Sequence, residues 1–287
     1  MFRSNYCEVF NRLVEACRDQ QSSRKSKKHA GTGMDTLGDV VGLLVALANN
    51  AASDDIRLAA TLAGMELGLG VAEALADLYA KLSVSQRQLE GAKSAGGAGG
   101  GKKASEKSRK IQGLENQVER ISGAIEELTE VSDLVYSKMT QKRYRDVSTE
   151  VRTTALDGLT KMMLALPEIY VQDKLMRYHG WSLSDKTPSV RILSLRSIQR
   201  LLRDETSSAR LDKFSGHFFS RVRGMLKDVD PTVCREAAVV LRLMLSVGFL
   251  EEIERGDEMD IEAGIFEEGL ALPAKTECMG FFVDRLE

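Results

Sequence analysis

Asp146-Val-Ser-Thr-Glu-Val-Arg152 is the stretch that decides the fold. It returns as Asp185-Lys-Thr-Pro-Ser-Val-Arg191 and again as Asp228-Val-Asp-Pro-Thr-Val-Cys-Arg235. Behind each copy runs an apolar series at helical spacing: Leu156, Leu159 and Met163, then Leu193, Leu195, Ile198 and Leu201, then Ala237, Val240, Leu241 and Met244. Val151, Val190 and Val233 stand 39 and then 43 residues apart, close to the period of about 40–47 found in HEAT and armadillo arrays. Ser148, Thr187 and Asp230, two residues after each Asp, are residue types suited to an N-cap. Pro188 and Pro231 follow two of them, where a missing N–H costs nothing. Each copy is therefore expected to be the turn that feeds the second helix of a helical hairpin. The fold class expected is all-α: a HEAT-like α-solenoid.

Outward from the repeats, composition agrees with helix. The 287 residues include only four prolines and 6% aromatics. A formal net charge of −2 gives no global field toward nucleic acid, so any such contact has to come from local patches. Cys7, Cys17, Cys234 and Cys278 lack metal-ligand spacing, as do His29, His179 and His217, and a reducing compartment is the simplest reading. The longest apolar run, Val40 to Ala48, is too short to span a bilayer, and no secretory signal opens the chain. Cytosol or nucleus is the expected location.

The chain divides into four expected regions. Residues 1–52 carry amino-terminal helices, Phe2 to Arg18 and Leu37 to Leu47, with a basic loop at 22–33 between them. That loop, with Arg24, Lys25, Lys27 and Lys28, reads either as a solvated segment or as a DNA-backbone contact. Residues 53–140 read as a long helical hairpin. Val71, Leu75, Leu78, Leu82 and Leu89 form one stripe; Ile111, Leu114, Val118, Ile121, Ile125 and Leu128 form the other. Facing each other, the stripes make a protruding antiparallel coiled-coil arm, its tip at 92–104. Gly96 to Lys102 fits the opening of a phosphate-binding loop, but Lys103 replaces the magnesium-binding hydroxyl and no strand precedes it. Lys102 and Lys103 at that tip join the possible DNA contacts, as do Arg143 and Arg145. Residues 141–250 hold the repeats. The last region, 251–287, has an acidic run from Glu251 to Glu268 and then one further helical pair. No nucleophile elbow or paired carboxylates stand out, so no enzyme is expected, no cofactor and no metal.

The repeat region also resembles a known family. Arg143-Tyr-Arg-Asp146, Glu150-Val-Arg152, Tyr178-His-Gly-Trp-Ser-Leu-Ser-Asp-Lys186 and Ala209-Arg-Leu-Asp-Lys-Phe-Ser-Gly-His-Phe218 are similar to the conserved domain of stromalins, the stromal-antigen subunits of cohesin. Ile56-Arg-Leu-Ala-Ala-Thr-Leu-Ala-Gly-Met65 and Ser85-Gln-Arg-Gln88 extend the similarity upstream. Stromalins are much longer, so the chain resembles an amino-proximal portion of one, or a short member.

The resemblance implies a non-catalytic scaffold that binds the cohesin kleisin and, through it, the cohesin ATPase subunits on chromosomes in the nucleus. It implies that Tyr144, Tyr178, Trp181 and Phe218 border a groove for Phe-containing motifs of regulators such as shugoshin, with Arg177 beside it. His217 stands where animal members have arginine and lacks the bidentate fork. Periodicity alone leaves two readings of Trp181 open: a groove wall, or a plug between repeats. On the groove reading, Tyr144 and Trp181 are expected to respond alike to truncation. The alternative at the level of function is an unrelated HEAT-repeat scaffold for transport or complex assembly.

Overall fold

The computed structural model describes residues 33–50, 52–94 and 102–249, together with Glu8, Val9, Arg12, Leu13, Val14 and Ala16. Among the described residues every regular element is helical. The chain runs through α1 (Gly33–Asn50), α2 (Asp54–Ser94) and α3 (Lys102–Val135), then a π-helical turn, Tyr136–Thr140. The repeats follow as α4 (Thr149–Ala165), α5 (Asp173–Ser182), α6 (Pro188–Arg203), α7 (Asp212–Gly224) and α8 (Pro231–Ser246). The basic loop with Arg24, Lys25, Lys27 and Lys28, the tip at 95–101 and residues 250–287 lie outside the described residues. The side chains of Lys102 and Lys103 do as well.

α2 and α3 pack antiparallel. Gly64 faces Met139, Gly68 faces Val135, and further out Gln117 donates to the Ser85 hydroxyl at 3.2 Å. The hairpin is core along half its length. From Ala60 to Leu78 the inner face of α2 is buried, and α2 also packs on α4: a Cβ on Gly158 would stand 2.5 Å from Met65 Cβ. Beyond Leu78 only Ser85 is buried on α2, and Leu82, Leu89, Ile111, Leu114 and Val118 stay half-buried. The hairpin therefore leaves the core later than its apolar stripes imply, because a third helix, α4 of the repeats, packs on its base. α2 is also long and apolar enough by composition to cross a membrane, but 72% of its apolar window is buried inside the protein.

The repeats stack through one recurring device. Asp146 Oδ1 accepts from Ser148 N at 2.9 Å, Asp185 Oδ1 from Thr187 N at 2.8 Å, and Asp228 Oδ1 from Asp230 N at 3.0 Å. Each carboxylate closes a turn of the Asx kind. The arginine six residues on then reaches backward and forward. Arg152 donates to the Asp146 carbonyl at 2.9 Å and to Asp185 Oδ1 at 3.0 Å. Arg191 donates to the Asp185 carbonyl at 2.8 Å and to Asp228 Oδ1 at 2.7 Å. In the third repeat Cys234 occupies the arginine's place and gives its thiol to the Asp228 carbonyl at 3.1 Å, which ends the series. At the other end Arg57 and Arg143 close on Asp146, at 3.2 and 2.7 Å.

Burial raises the Asp146 carboxyl, but the Ser148 N–H and the guanidiniums outweigh it and hold the group below its ordinary value. The expected capping by Ser148 and Thr187 is corrected here. Both sit at N-cap positions without a side-chain cap bond, while Asp230 does accept from Thr232 and Val233.

Removing one partner of a buried ion pair leaves the other charge unpaired, at a cost of about 3–5 kcal/mol. Arg152→Ala or Asp185→Ala is expected to destabilise the repeats by that much in urea unfolding. Arg196→Ala, whose side chain is 54% exposed, should change stability by less than about 1 kcal/mol.

Candidate functional site

The site residues come from three places in the chain: the turn after the π-helical segment, α5, and α7. On α5, Tyr178 and Trp181 lie three apart and so project from one side of the helix. Tyr144 sits in the turn that the buried Asp146 network anchors. Its ring centroid lies 4.8 Å from Tyr178 in a T-shaped contact and 5.9 Å from Trp181 in a stacked one. Tyr178 meets Trp181 edge-on at 5.5 Å. Behind them the Tyr136 and Tyr178 hydroxyls stand 3.1 Å apart, and burial, then the Tyr136 hydroxyl, raise the Tyr178 phenol above its ordinary value. That tyrosine is neutral.

Depth separates these aromatics. Tyr144 is 8% and Tyr178 6% exposed, whereas Trp181 keeps 45% of its surface in water. The indole is thus neither a plug nor loose. Two buried rings brace it, and two guanidiniums flank it: Arg145 Cζ is 5.9 Å and Arg177 Cζ 5.8 Å from the ring centroid. Neither arginine has a carboxylate partner among the described residues.

On one side of Trp181 opens a cleft of about 310 Å³, walled by Asp173, Met176, Arg177, Lys213, Phe214, His217 and Phe218. Phe218 reaches it because residue 180 is glycine: a Cβ there would overlap the phenyl ring. On the other side lies a shallower groove with Arg145, Val147, Ser184 and Lys186. Trp181 is the wall between them.

The structure therefore brings Tyr144, Arg177, Tyr178, Trp181, His217 and Phe218 into one cluster, with the tyrosines as its floor. That difference in depth argues against the expectation that Tyr144 and Trp181 respond alike to truncation. Arg143 and Arg145 also part company. Arg143 is bound to Asp146, the Ala48 carbonyl at 3.3 Å and Asn49 Oδ1 at 3.1 Å, so it braces the fold rather than facing DNA. Arg145 is exposed over Tyr144, at 5.0 Å. Sequence reasoning missed Met176, Gly180, Lys213 and Phe214; only the glycine, placed between His179 and Trp181, carried a signal of close approach. Among the described residues no group of three ligating side chains could hold a metal ion.

An aromatic wall between two clefts, flanked by Arg145 and Arg177 on a stack of helical repeats, makes the class an α-solenoid with an exposed aromatic site. Comparison with known proteins narrows it. Residues 145–219 match the family profile of the stromalin conservative domain. Human cohesin subunit SA-3 is 26% identical over 244 residues, covering 85% of this chain and 19% of the relative. Sister-chromatid cohesion protein 3 of Arabidopsis thaliana is 26% identical over 210 residues, covering 71% and 18%. The solved structure of cohesin subunit Scc3 from Z. rouxii superposes with a TM-score of 0.80 at 22% identity, covering 97% of this chain and 30% of that one. The chain is an α-solenoid similar to stromalins over residues 145–219, and it spans about a fifth of the length of the curated relatives it matches.

One buried group beside the site makes the stability of the fold depend on pH. His179, between Tyr178 and Gly180 on α5, is completely buried. Its Nε2 lies 3.3 Å from the Thr160 hydroxyl, Nδ1 has no partner among the described residues, and the Ser194 hydroxyl holds its carbonyl at 2.6 Å. Burial lowers its pKa to about 4, so the ring is neutral in the fold. Above the unfolded value of about 6.5 protonation contributes nothing to stability. As pH falls from there toward 4 the unfolded chain takes up the proton and the folded one refuses it. Stability should then drop by about 3 kcal/mol across that window. The check is the pH dependence of the urea midpoint, which His179→Gln should flatten between pH 6.5 and 4.

Proposed function

We propose that this protein is a non-catalytic scaffold of a cohesin complex. It holds a kleisin segment and presents the clefts around Trp181 to short Phe-containing motifs of regulators such as shugoshin. The kleisin in turn links it to the cohesin ATPase subunits. The observation that carries the reading is Trp181, large, apolar and 45% exposed, yet fixed by Tyr144 and Tyr178. An aromatic side chain in the cleft beside it would stack on the indole and on Phe218. Acidic residues flanking the motif would meet Arg145 and Arg177, whose forks accept carboxylates. The cohesin-subunit and sister-chromatid-cohesion names of the relatives support this assignment, and the location proposed with it is chromosomes in the nucleus. Contact with DNA through Arg24, Lys25, Lys27, Lys28, Lys102, Lys103 and Arg145 belongs to the same proposal.

The test separates affinity from stability. Titrating a Phe-containing acidic peptide into the protein with the kleisin segment present, Trp181→Ala should weaken binding by about 30-fold, a loss of about 2 kcal/mol. Its melting temperature should change little. Tyr144→Ala, which empties a buried site, should instead cost about 3–5 kcal/mol of stability. Unchanged affinity for Trp181→Ala in a folded protein would refute the groove.

A further inference from the structure

The two sides of Trp181 differ in charge. The cleft side carries a carboxylate of its own: Asp173 lies 3.7 Å from Lys213 and offsets it, which leaves Arg177 beside His217. On the groove side the carboxylates are already committed. Asp146 takes Arg57 and Arg143, and Asp185 takes Arg152 at 2.9 Å. The cations left on that side are Arg145 and Lys186, both exposed and neither with a carboxylate partner among the described residues.

Repeat stacking brings these two together. Arg145 precedes the aspartate of the first repeat turn, and Lys186 follows that of the second. Arg152 joins the turns by donating to the Asp146 carbonyl and to Asp185 Oδ1. The groove between them, about 530 Å³, has Tyr144 and Trp181 along it and the exposed Val147 and Ser184 beside the cations. Ser184 N donates to the Trp181 carbonyl at 3.1 Å, which ties that edge to the wall. Arg145 lies over the Tyr144 ring, at 5.0 Å. Stacking uses the face of a guanidinium and leaves its planar N–H fork for an acceptor.

We propose, on the reading of Trp181 as the wall of a motif site, that this groove is the acid-binding half of that site. It takes the carboxylate of an Asp or Glu of the same partner segment whose aromatic ring fills the cleft, and the segment crosses the indole between them. Arg145 Cζ stands 5.9 Å from the indole centroid on the groove side. A ring on the cleft side adds about 5 Å, and extended chain covers the total in about three residues at about 3.3 Å each. The acid therefore lies about three residues from the aromatic. Val147 offers an apolar contact to the residue beyond it.

Two peptides test the proposal on the full chain with the kleisin segment present: one with Phe and an Asp three residues to either side, the other with Asn in both places. The wild type should bind the Asp peptide about 5-fold tighter, the size expected of two exposed ion pairs. Arg145→Gln with Lys186→Gln should narrow that preference to under about 2-fold at an unchanged melting temperature. Arg177→Gln should keep most of it. The Asn peptide reads the Phe site separately, through its loss of affinity on Trp181→Ala. If that loss is seen but the Asp preference is absent, or follows Arg177 instead, the acid groove is overturned and the Phe site stands. If Trp181→Ala changes the affinity of neither peptide, both fall. An Asp preference that survives the Arg145 and Lys186 changes, while duplex DNA binding drops, assigns the two cations to nucleic acid and overturns the proposal too.

Discussion

Asp185 and Asp228 are each shared between their own turn and the arginine of the repeat before, and the stacking of the solenoid depends on that sharing. Asp185 closes the turn before α6 through Thr187 N and at the same time receives Arg152. Asp228 does the same with Asp230 N and Arg191. Apolar side chains alone tolerate a sliding interface, since leucine against leucine is nearly as good one residue along. A buried guanidinium near 3 Å from its carboxylate tolerates none, because a slip strands both charges away from water. The ion pairs therefore set the register, and the apolar runs behind them supply the bulk of the burial.

The same constraint reaches the candidate site. Asp146 heads the series, and Arg57 from α2 and Arg143 from the short helix after the π-helical turn both close on it. That fixes the turn carrying Tyr144. The π-helical turn adds the other half: over Tyr136–Thr140 it keeps Met139 and Thr140 in the core while Tyr136 meets Tyr178. π-helical turns recur where an extra residue must be fitted into a helix to re-aim a side chain. The floor of the cluster is thus built by long-range contacts, and Trp181 rests on it without being enclosed. A ring held ready in this way loses little freedom when a partner covers it, which favours binding.

His179 and Trp181, two residues apart on α5, show how one short helix serves both needs. The imidazole is turned inward between α4 and α6, neutral and dry; the indole is turned outward between two cations. Gly180 between them admits Phe218 from α7 and so ties the second and third repeats together at the cleft.

The repeat phase, the turn positions and the all-helical class were legible in the chain itself, because Asp and Pro at fixed offsets from an apolar series are local signals; which side chain closes each turn was not, since the Asp carboxylates do so where Ser148 and Thr187 were expected to cap. The residues of the cluster were legible too, through their likeness to stromalins. Depth was not. Tyr144 and Trp181 occupy similar places near the repeat turns, yet whether a ring is floor or wall depends on neighbours 34 or more residues away. Nor could the spacing tell that Cys234, rather than Arg235, takes the arginine's place, or that Arg143 turns inward where Arg145 turns out. One residue along a helix rotates a side chain by about 100°, and only the docking of neighbouring helices decides which of two adjacent positions faces the stack. Sequence alone determined which helices form and what they carry; packing between repeats decided which charges are buried, where the hairpin leaves the core, and which aromatic meets water.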